Sequence, residues 1–336
     1  MKLKKRRQFK ADRGGNMLNL ILGGGGFIGS NLANRLKEMD QAVLIADDFS
    51  LGQRAFLSNF RSDEIIDGSI LDEKTWGEIY SRAGVENVLV WHLAANSDIQ
   101  KGAISTVPDM TRTLRTSTEL IEKIHNVRVT GIVFSSTSAV YGSENYAPSE
   151  NSPTNPISNY GVAKLASENF LKIYCSKNSI PLWIFRFANI VGAPATHGVI
   201  FDFCNKLQDN NLELQVLGNG TQRKAYLHIH DLITMVMELQ SKKNEGGTWN
   251  LGPDDDGISV AEIATQVVKH VSPNAGIQFG DSPQGWPGDI SEIVLDTDRL
   301  QADVNYDFMS SHEAVHKAIH EITSDMNISI QCNRPL

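Results

Sequence analysis

The segment YGVAK places the phenol of Tyr160 four residues before the amine of Lys164. The residues that follow, LASENFLKIY, have the spacing of an amphipathic helix, so the two side chains would lie one turn apart on one face. A phenol has a pKa of about 10 and is a weak base at neutral pH, but nearby cations favour its phenolate. A Tyr and a Lys at this spacing are common, however, and a surface Tyr beside a solvated Lys has the same pattern, so the pair alone does not establish a function.

A second group of residues is suited to binding phosphate. The stretch GGGGFIG follows a predicted strand and opens a predicted helix, with Gly23, Gly26 and Gly29 spaced GxxGxxG. Glycines allow a tight turn and let N–H groups at a helix N-terminus approach a pyrophosphate. A second strand ends in Asp47 and Asp48, where a carboxylate accepts hydrogen bonds from ribose hydroxyls and repels a 2′-phosphate. This pattern predicts NAD rather than NADP as the cofactor.

A third group is the hydroxyl run SSTSAVYG, which begins at Ser135 directly after the apolar run GIVF. Such a run ends a buried strand with side chains that can donate hydrogen bonds to a reacting oxygen. No acidic residue follows within the run.

The elements that must position these groups alternate along the chain from Met17 onward. Short apolar runs are separated by amphipathic segments, which is typical of parallel strands joined by helices. The runs are LNLIL, AVLIA, NVLVWHL, TGIVFSS and PLWIFRF. In the first helical segment Ile28, Leu32, Leu36 and Met39 recur at helical spacing, so we expect them to face the sheet.

Taken in order, the glycine loop, the acid, SSTSAVYG and YxxxK resemble the extended short-chain dehydrogenase/reductase family. Within that family they resemble the branch of nucleotide-sugar epimerases and dehydratases, which includes proteins similar to UDP-glucose 4-epimerase. The resemblance runs from about residue 18 to 289. Further matching stretches are HLAANSD, FRFANIVGAPATHGVIFDF, GNGTQRKAYLHIHD, WNLGPDDDGISVAEI and GWPGD. The resemblance implies a Rossmann-type doubly wound parallel sheet with a smaller C-terminal α/β domain that binds substrate. The expected division is a basic tail at 1–16, an NAD-binding domain at 17–187 and a nucleotide-sugar domain at 188–330, with segments that cross between the two.

The resemblance also implies a role for each matching residue. Tyr160 would be the general base and acid at a sugar hydroxyl, Lys164 would hold the nicotinamide ribose and tune Tyr160, and Thr137 would hydrogen-bond the reacting oxygen. Asn189 would contact the diphosphate of the substrate, together with a cation supplied by Arg223 or Lys224. The residues expected to contact NAD are Gly23, Gly26, Phe27, Ile28, Gly29, Asp47, Asp48, Ser69, Leu93, Ala94, Ala95 and Lys164.

Three positions depart from the family pattern. Ser69 stands where members often carry an Asp that contacts adenine, Thr113 stands where an active-site Asn is usual, and a late Arg is replaced around Trp286. These departures concern substrate affinity and identity rather than hydride chemistry.

The residues after Thr137 discriminate between reactions. Dehydratases of the family carry Asp-Glu there, because eliminating water needs a general acid and a base. Here the positions are Ser138 and Ala139, so we expect an epimerase, most simply a 4-epimerase. A dehydratase or reductase of the same family, and a non-catalytic NAD-binding protein, remain as alternatives.

Composition limits the partners. With 31 Lys+Arg against 39 Asp+Glu and a net charge of −8 in 336 residues, no nucleic-acid surface is expected. No apolar run is long enough to span a membrane. Three distant cysteines predict neither disulfides nor a zinc site, which favours the cytoplasm. By resemblance, the helices at 111–123 and 160–174 match those that form a four-helix bundle in family dimers, which predicts a homodimer.

Two motifs that suggest metals are better explained without one. His228 and His230 form an HxH pair, which would point to one side of a strand, but no third ligand lies nearby. The run Asp254 to Asp256 lacks the alternation and terminal Glu of a calcium loop. No metal is therefore expected, and His197, in a loop near the expected substrate, stays an open question.

Overall fold

The computed structural model describes residues 17–144, 146–285 and 290–328, apart from the side chains of 99–101. Its strands are β1 Met17–Leu22, β2 Ala42–Asp47, β3 Ile65–Asp67, β4 Asn87–His92, β5 Arg128–Thr137, β6 Leu182–Phe187, β7 Asn189–Val191, β8 Glu213–Val216, β9 Arg223–Lys224, β10 Tyr226–His228, β11 Gly246–Leu251, β12 Ile258–Ser259, β13 Gly276–Phe279 and β14 Glu292–Ile293. Its α-helices are α1 Phe27–Glu38, α2 Glu73–Ala83, α3 Ile99–Ile104, α4 Val107–Asp109, α5 Arg115–Lys123, α6 Asn159–Asn178, α7 Val199–Asp209, α8 Ile229–Lys242, α9 Val260–Val271, α10 Asp298–Asp303 and α11 Ser311–Asp325.

The main sheet has seven strands in the order β11-β6-β5-β4-β1-β2-β3, and its strands run parallel. Leu20, Ile21 and Leu22 are all fully buried, because helices cover both faces of a parallel sheet. The chain order reverses between β1 and β4, which is the dinucleotide-binding topology. The predicted Rossmann-type doubly wound fold is confirmed.

Helix α1 follows the glycine loop and packs on the sheet. Leu32 and Leu36 are buried as predicted, and Ile28 packs partly against the same core. Met39 is exposed, so its assignment to the sheet-facing side was wrong: α1 ends at Glu38 and Met39 is its C-cap, where the chain turns away.

The C-terminal region builds a second core from α7, α9 and α11 with small sheets. Its strands pair as β10 with β7, β13 with β8, and β9 between β12 and β14. The chain also crosses back into the first region, because β11 pairs in parallel with β6 at the edge of the main sheet. Trp249 and Leu251 of this strand join the core that includes Leu32. The chain after residue 187 therefore contributes both to the main sheet and to the second core.

Three features considered in the sequence are the membrane-spanning potential, the terminal segments and the HxH pair. No helix within the described residues is long and apolar enough to cross a membrane. The basic segment 1–16, Trp286 and Cys332 lie outside the described residues. His228 and His230 do not share a strand face as predicted: His228 ends β10 and caps α8, and His230 belongs to that helix. His228 Nε2 lies 3.0 Å from Glu321 Oε2, and we expect a packing and hydrogen-bonding role for at least one of these two histidines.

Three histidines meet between α9 and α11. The rings of His270 and His320 have centroids 4.2 Å apart, and those of His316 and His320 are 4.7 Å apart. Burial lowers the pKa of His270, and the imidazoliums of His320 and His316 lower it further.

The depressed pKa of His270 predicts acid-sensitive folding. In the unfolded chain His270 takes up a proton near pH 6.5, whereas in the folded protein it takes one up only at a lower pH. The contribution of neutral His270 to the free energy of unfolding is therefore complete above pH 6.5 and is lost as the pH falls below it. We expect His270→Asn to flatten the fall of the unfolding free energy between about pH 7 and 5 in urea titrations. The exposed His125→Asn is the control, and equal slopes in both variants would refute the interpretation.

Candidate active site

A cleft of about 230 Å³ lies at the carboxyl ends of the main-sheet strands, where the strand order reverses. In open α/β sheets this crevice is where ligands bind. The loops after β1, β2, β3 and β4 and the end of β5 line it. The lining includes every residue that the sequence predicted to contact NAD, so the structure brings these residues together.

The glycine loop approaches its neighbours so closely that side chains are excluded. Gly23 has φ 87°, and a Cβ at Gly29 would lie 2.2 Å from Gly23 O. Helix α1 starts at once, with neither a side-chain cap nor an acidic residue in its first turn. The N–H groups of that turn therefore point an uncompensated positive dipole at the cleft, which suits a pyrophosphate.

Asp47, at the C-terminal end of β2, is hydrogen-bonded to the glycine loop. Asp47 Oδ2 accepts a hydrogen bond from Gly25 N at 2.8 Å, and Oδ1 accepts one from Phe49 N at 2.7 Å. Burial raises the pKa of Asp47, while the two N–H donors act in the opposite direction. Each carboxylate oxygen keeps a lone pair for a ribose hydroxyl. Asp48 is exposed on the cleft wall. These residues fit NAD, and the 2′-phosphate of NADP would meet the Asp47 charge.

The close approach at Gly29 gives a sharp prediction. Gly29→Ala places its Cβ against the carbonyl of Gly23, so the turn must open and the first-turn N–H groups move away from the cleft. We expect NAD affinity to fall by at least about tenfold, equal to roughly 1.4 kcal/mol, in isothermal titration calorimetry. Gly77→Ala in α2 is the matched control, because an added Cβ there meets nothing within 4 Å. Equal affinities in both variants would contradict the role given to this turn.

Lys164 is 1% exposed and reaches the end of β5. Its Nζ donates to Ser135 O at 2.6 Å and to Ser135 Oγ at 3.3 Å. Burial lowers the pKa of Lys164 to about 7, against the pull of the Glu168 carboxylate. Both Lys164 and Tyr160 line the cleft, and Lys164 Nζ lies 5.8 Å from the centroid of the Tyr160 ring.

Burial is the main influence on the pKa of the Tyr160 phenol. Removal of the phenol from water raises the pKa of Tyr160 well above its usual range, and the Asp109 carboxylate raises it further. The charged forms of Tyr160 and Asp109 therefore oppose each other in the same low-dielectric region.

Thr137 ends β5 and starts the 3₁₀ turn 138–140. Its Oγ1 accepts a hydrogen bond from Ala139 N at 3.2 Å. A Cβ at Gly161 would lie 2.6 Å from Ala139 O, so this turn packs directly on the first turn of α6, beside Tyr160. Thr137 is therefore near Tyr160, although it is not part of the described cleft lining.

A buried ion pair holds α6 against β5 and β6. Arg186 donates to Glu168 in a forked pair, with Nε to Oε1 at 3.0 Å and Nη2 to Oε2 at 2.8 Å. Ser136 Oγ donates to Glu168 Oε1 at 2.5 Å. Burial raises the pKa of Glu168, but Arg186 outweighs it and leaves that pKa below its usual value. Ser136 directly precedes Thr137, and Glu168 follows Lys164 by one helical turn. The ion pair between Arg186 and Glu168 therefore helps to position Thr137 and Lys164.

The residues predicted to bind substrate lie further from this cleft. Asn189 begins β7, and its Nδ2 donates to Ala225 O at 3.3 Å. Arg223 Nη2 donates to Glu262 Oε2 at 2.8 Å, and its Nη1 donates to Gly257 O. Lys224 alternates with Arg223 along β9 and so faces the other way. Within the described chain, none of the three lines the cleft.

Sequence reasoning missed several residues of the lining. They include Asn96, Ser97, Arg112, Thr116 and Thr196. Asn96 follows HLAA at the end of β4, so the rule that ligands bind at the carboxyl ends of strands would have found it. Arg112 and Thr116 share a helix face that only the packing brings to the cleft. His197, the open question, also lines the cleft, with Nδ1 3.0 Å from Thr196 Oγ1.

The fold and the cleft together define a Rossmann-type dinucleotide-binding protein whose cleft is lined by the phenol of Tyr160 and the buried amine of Lys164. Residues 19–252 match the model of the NAD dependent epimerase/dehydratase family, and the chain belongs to that family. The predictions of the family and of NAD as cofactor are therefore confirmed.

Named relatives share most of the chain. The chain is 30% identical to UDP-glucose 4-epimerase of Corynebacterium glutamicum over 76% of this chain and 81% of the relative. It is 27% identical to dTDP-D-glucose 4,6-dehydratase of Dictyostelium discoideum over 74% of this chain and 61% of the relative. A crystal structure of UDP-glucuronic acid 4-epimerase from Bacillus cereus, in complex with UDP-glucuronic acid and NAD, is 25% identical with a TM-score of 0.79, covering 92% of this chain and all of that one.

Proposed function

We propose that the protein is a nucleotide-sugar 4-epimerase that acts on UDP-sugars. The observation that carries the proposal is the turn after Thr137, where Ser138 and Ala139 supply no acid or base. The relatives named as UDP-glucose 4-epimerase and UDP-glucuronic acid 4-epimerase support the choice of a UDP-sugar and of its fourth carbon.

The proposed chemistry assigns one task to each residue. Tyr160 takes the proton of the sugar hydroxyl and later returns it, while Thr137 donates to the oxygen as it becomes a carbonyl. Lys164 holds the nicotinamide ribose and adds positive charge near the phenol. When bound, NAD supplies the acceptor and donor of the hydride. The keto sugar turns over between the two transfers and so recovers its hydroxyl on the opposite face.

The remaining assignments concern binding. The glycine loop, Asp47, Asp48, Ser69 and the HLAA residues would hold NAD. Asn189 would contact the substrate diphosphate, together with a cation supplied by Arg223 or Lys224. The protein would work in the reducing cytoplasm, in keeping with the free buried thiols of Cys175 and Cys204.

The experiment that tests the function incubates the purified protein with UDP-, dTDP-, GDP- and CDP-sugars and follows the products by NMR. We expect inversion of a UDP-sugar at one carbon without net accumulation of NADH. A 4-keto-6-deoxy product would instead select the dehydratase that the Dictyostelium relative represents. Net consumption of the cofactor would select a reductase.

We also propose a homodimer formed through α6 and the helix that ends in α5. Val162, Phe170 and Ile173 are exposed apolar residues at helical spacing on α6, and Met110 is exposed on the neighbouring segment. Rows of exposed apolar side chains mark interaction surfaces. We expect a dimer in light scattering and a monomer for Phe170→Glu. Val85→Glu, at a residue 90% exposed beyond α2, should stay dimeric; a wild-type monomer would refute the interface.

A further inference from the structure

Asp109 is an acid in an unusual place. It ends α4 at the start of a π-helical turn, 110–114, that leads into α5, and only 1% of its surface is exposed. Its Oδ1 accepts a hydrogen bond from Asn96 Nδ2 at 2.9 Å. Among the side chains that the structure describes, none donates to Oδ2. An ionisable group buried in this way costs several kcal/mol unless it is compensated.

Packing accounts poorly for an acid at this position. An Asn has the same shape, could keep the contact with Asn96 and would leave no charge to bury. Within the described residues Asp109 takes part in no ion pair. Buried, uncompensated ionisable groups near a cleft are commonly functional.

Contacts through Gly102 and Asn96 connect Asp109 with the neighbourhood of Tyr160. From α3, the backbone of Gly102 lies so close that a Cβ there would be 2.3 Å from Asp109 Oδ2. Gly102 O accepts a hydrogen bond from Asn159 Nδ2 at 2.8 Å, and Asn159 directly precedes Tyr160. From the loop after β4, Asn96 contacts Asp109 and lines the cleft with Tyr160.

The charged groups around Asp109 set the direction of its effect. Tyr160, on α6, is close enough to Asp109 for the charge of the carboxylate to act on the phenol. Asp98 follows Asn96 in the loop after β4, and Arg112 lies one turn along in the π-helical segment at the cleft wall. Burial raises the pKa of Asp109, and the Asn96 amide only partly opposes this. The Asp109 carboxylate in turn raises the pKa of Tyr160.

We propose that Asp109 is a positioning residue that acts through Tyr160: its buried charge keeps the proton bound to the phenol, so that Tyr160 can return a proton as well as remove one. The inference rests on the proposed function. An epimerase uses the same group as base and as acid in one turnover, and catalysis is fastest when neither form is too stable. Lys164 and the bound cofactor favour the phenolate, and Asp109 opposes them.

The test replaces the charge while keeping the shape. In Asp109→Asn, with NAD present, the acid limb of the pH profile of kcat should move down by about one pH unit, because Tyr160 loses its proton more easily. Glu122→Gln, which removes an exposed charge from α5, should leave the limb unchanged. An unshifted limb, or a uniform loss of activity at every pH, would show a structural role and overturn the proposal.

A second readout does not depend on turnover. The ultraviolet difference between the protein and its Tyr160→Phe form reports the ionisation of this phenol, and its midpoint should fall by the same amount in the Asp109→Asn background. An unchanged midpoint overturns the coupling even if the enzyme is active. A shifted midpoint in a protein that converts no nucleotide sugar would disprove the proposed function alone. Asp109→Ser also removes the charge and replaces Asp109→Asn if that variant does not fold.

Discussion

Tyr160→Phe should reduce turnover by about 10²- to 10⁴-fold while the protein still binds NAD. Loss of the hydroxyl removes the group that we propose accepts and returns the sugar proton, and general acid–base catalysis contributes roughly this factor. The glycine loop and Asp47, which hold the cofactor in the proposal, are untouched. Turnover of UDP-sugars is measured by NMR, and NAD binding by calorimetry.

The control for this variant lies on the same helix. Tyr174→Phe removes a hydroxyl from the far end of α6, outside the described cleft lining, and should leave turnover unchanged. Full activity in Tyr160→Phe would show that another group is the base. Loss of NAD binding together with activity would show that the substitution had damaged the cleft itself.

Arg186→Met should lower the free energy of unfolding by about 3–5 kcal/mol. Glu168 is fully buried and Arg186 is 4% exposed, so the variant leaves a carboxylate in the interior without its main cation. Lys172 reaches Glu168 Oε2 at 3.1 Å, but its own side chain is 43% exposed and it compensates only in part. Arg186 Nη1 also donates to Tyr141 Oη at 2.8 Å, so Tyr141 loses one hydrogen bond and keeps the one it donates to Asn250 Oδ1 at 2.7 Å. Urea unfolding measures the change.

Two further variants make this prediction specific. Arg35→Met breaks a pair with Glu38 in which both side chains are more than half exposed, and it should cost less than about 1 kcal/mol. The double variant Arg186→Met with Glu168→Leu removes both charges and should recover part of the loss. A loss below about 1 kcal/mol in Arg186→Met would mean that water reaches Glu168 in solution.

Most of the cofactor half of the site could be predicted because its signals are local. A glycine loop must join strand to helix within a few residues, and the acid must follow at the tip of the next strand. The five strands predicted for the main sheet appear where the apolar runs placed them. The prediction that Met39 faces the sheet was wrong because helical periodicity does not show where a helix ends.

The substrate half could be predicted only by resemblance. Asn189, Arg223 and Lys224 lie in short strands whose pairing depends on distant segments, such as β9 with β12 and β14. Arg223 and Glu262, which form an ion pair, are far apart in the chain, and no local sequence pattern predicts that they meet.

The sequence by itself determined the parallel sheet, the position of the phosphate-binding turn, the choice of NAD and the pairing of Tyr160 with Lys164. Each of these depends on periodicity or on backbone geometry over a few residues. The tertiary structure alone decided that β11 returns to the main sheet, that Arg186 neutralises Glu168 beside β5, and that Asp109 is buried near Tyr160. Burial and charge interactions between distant segments set the proton affinities of the site, and those exist only once the chain has folded.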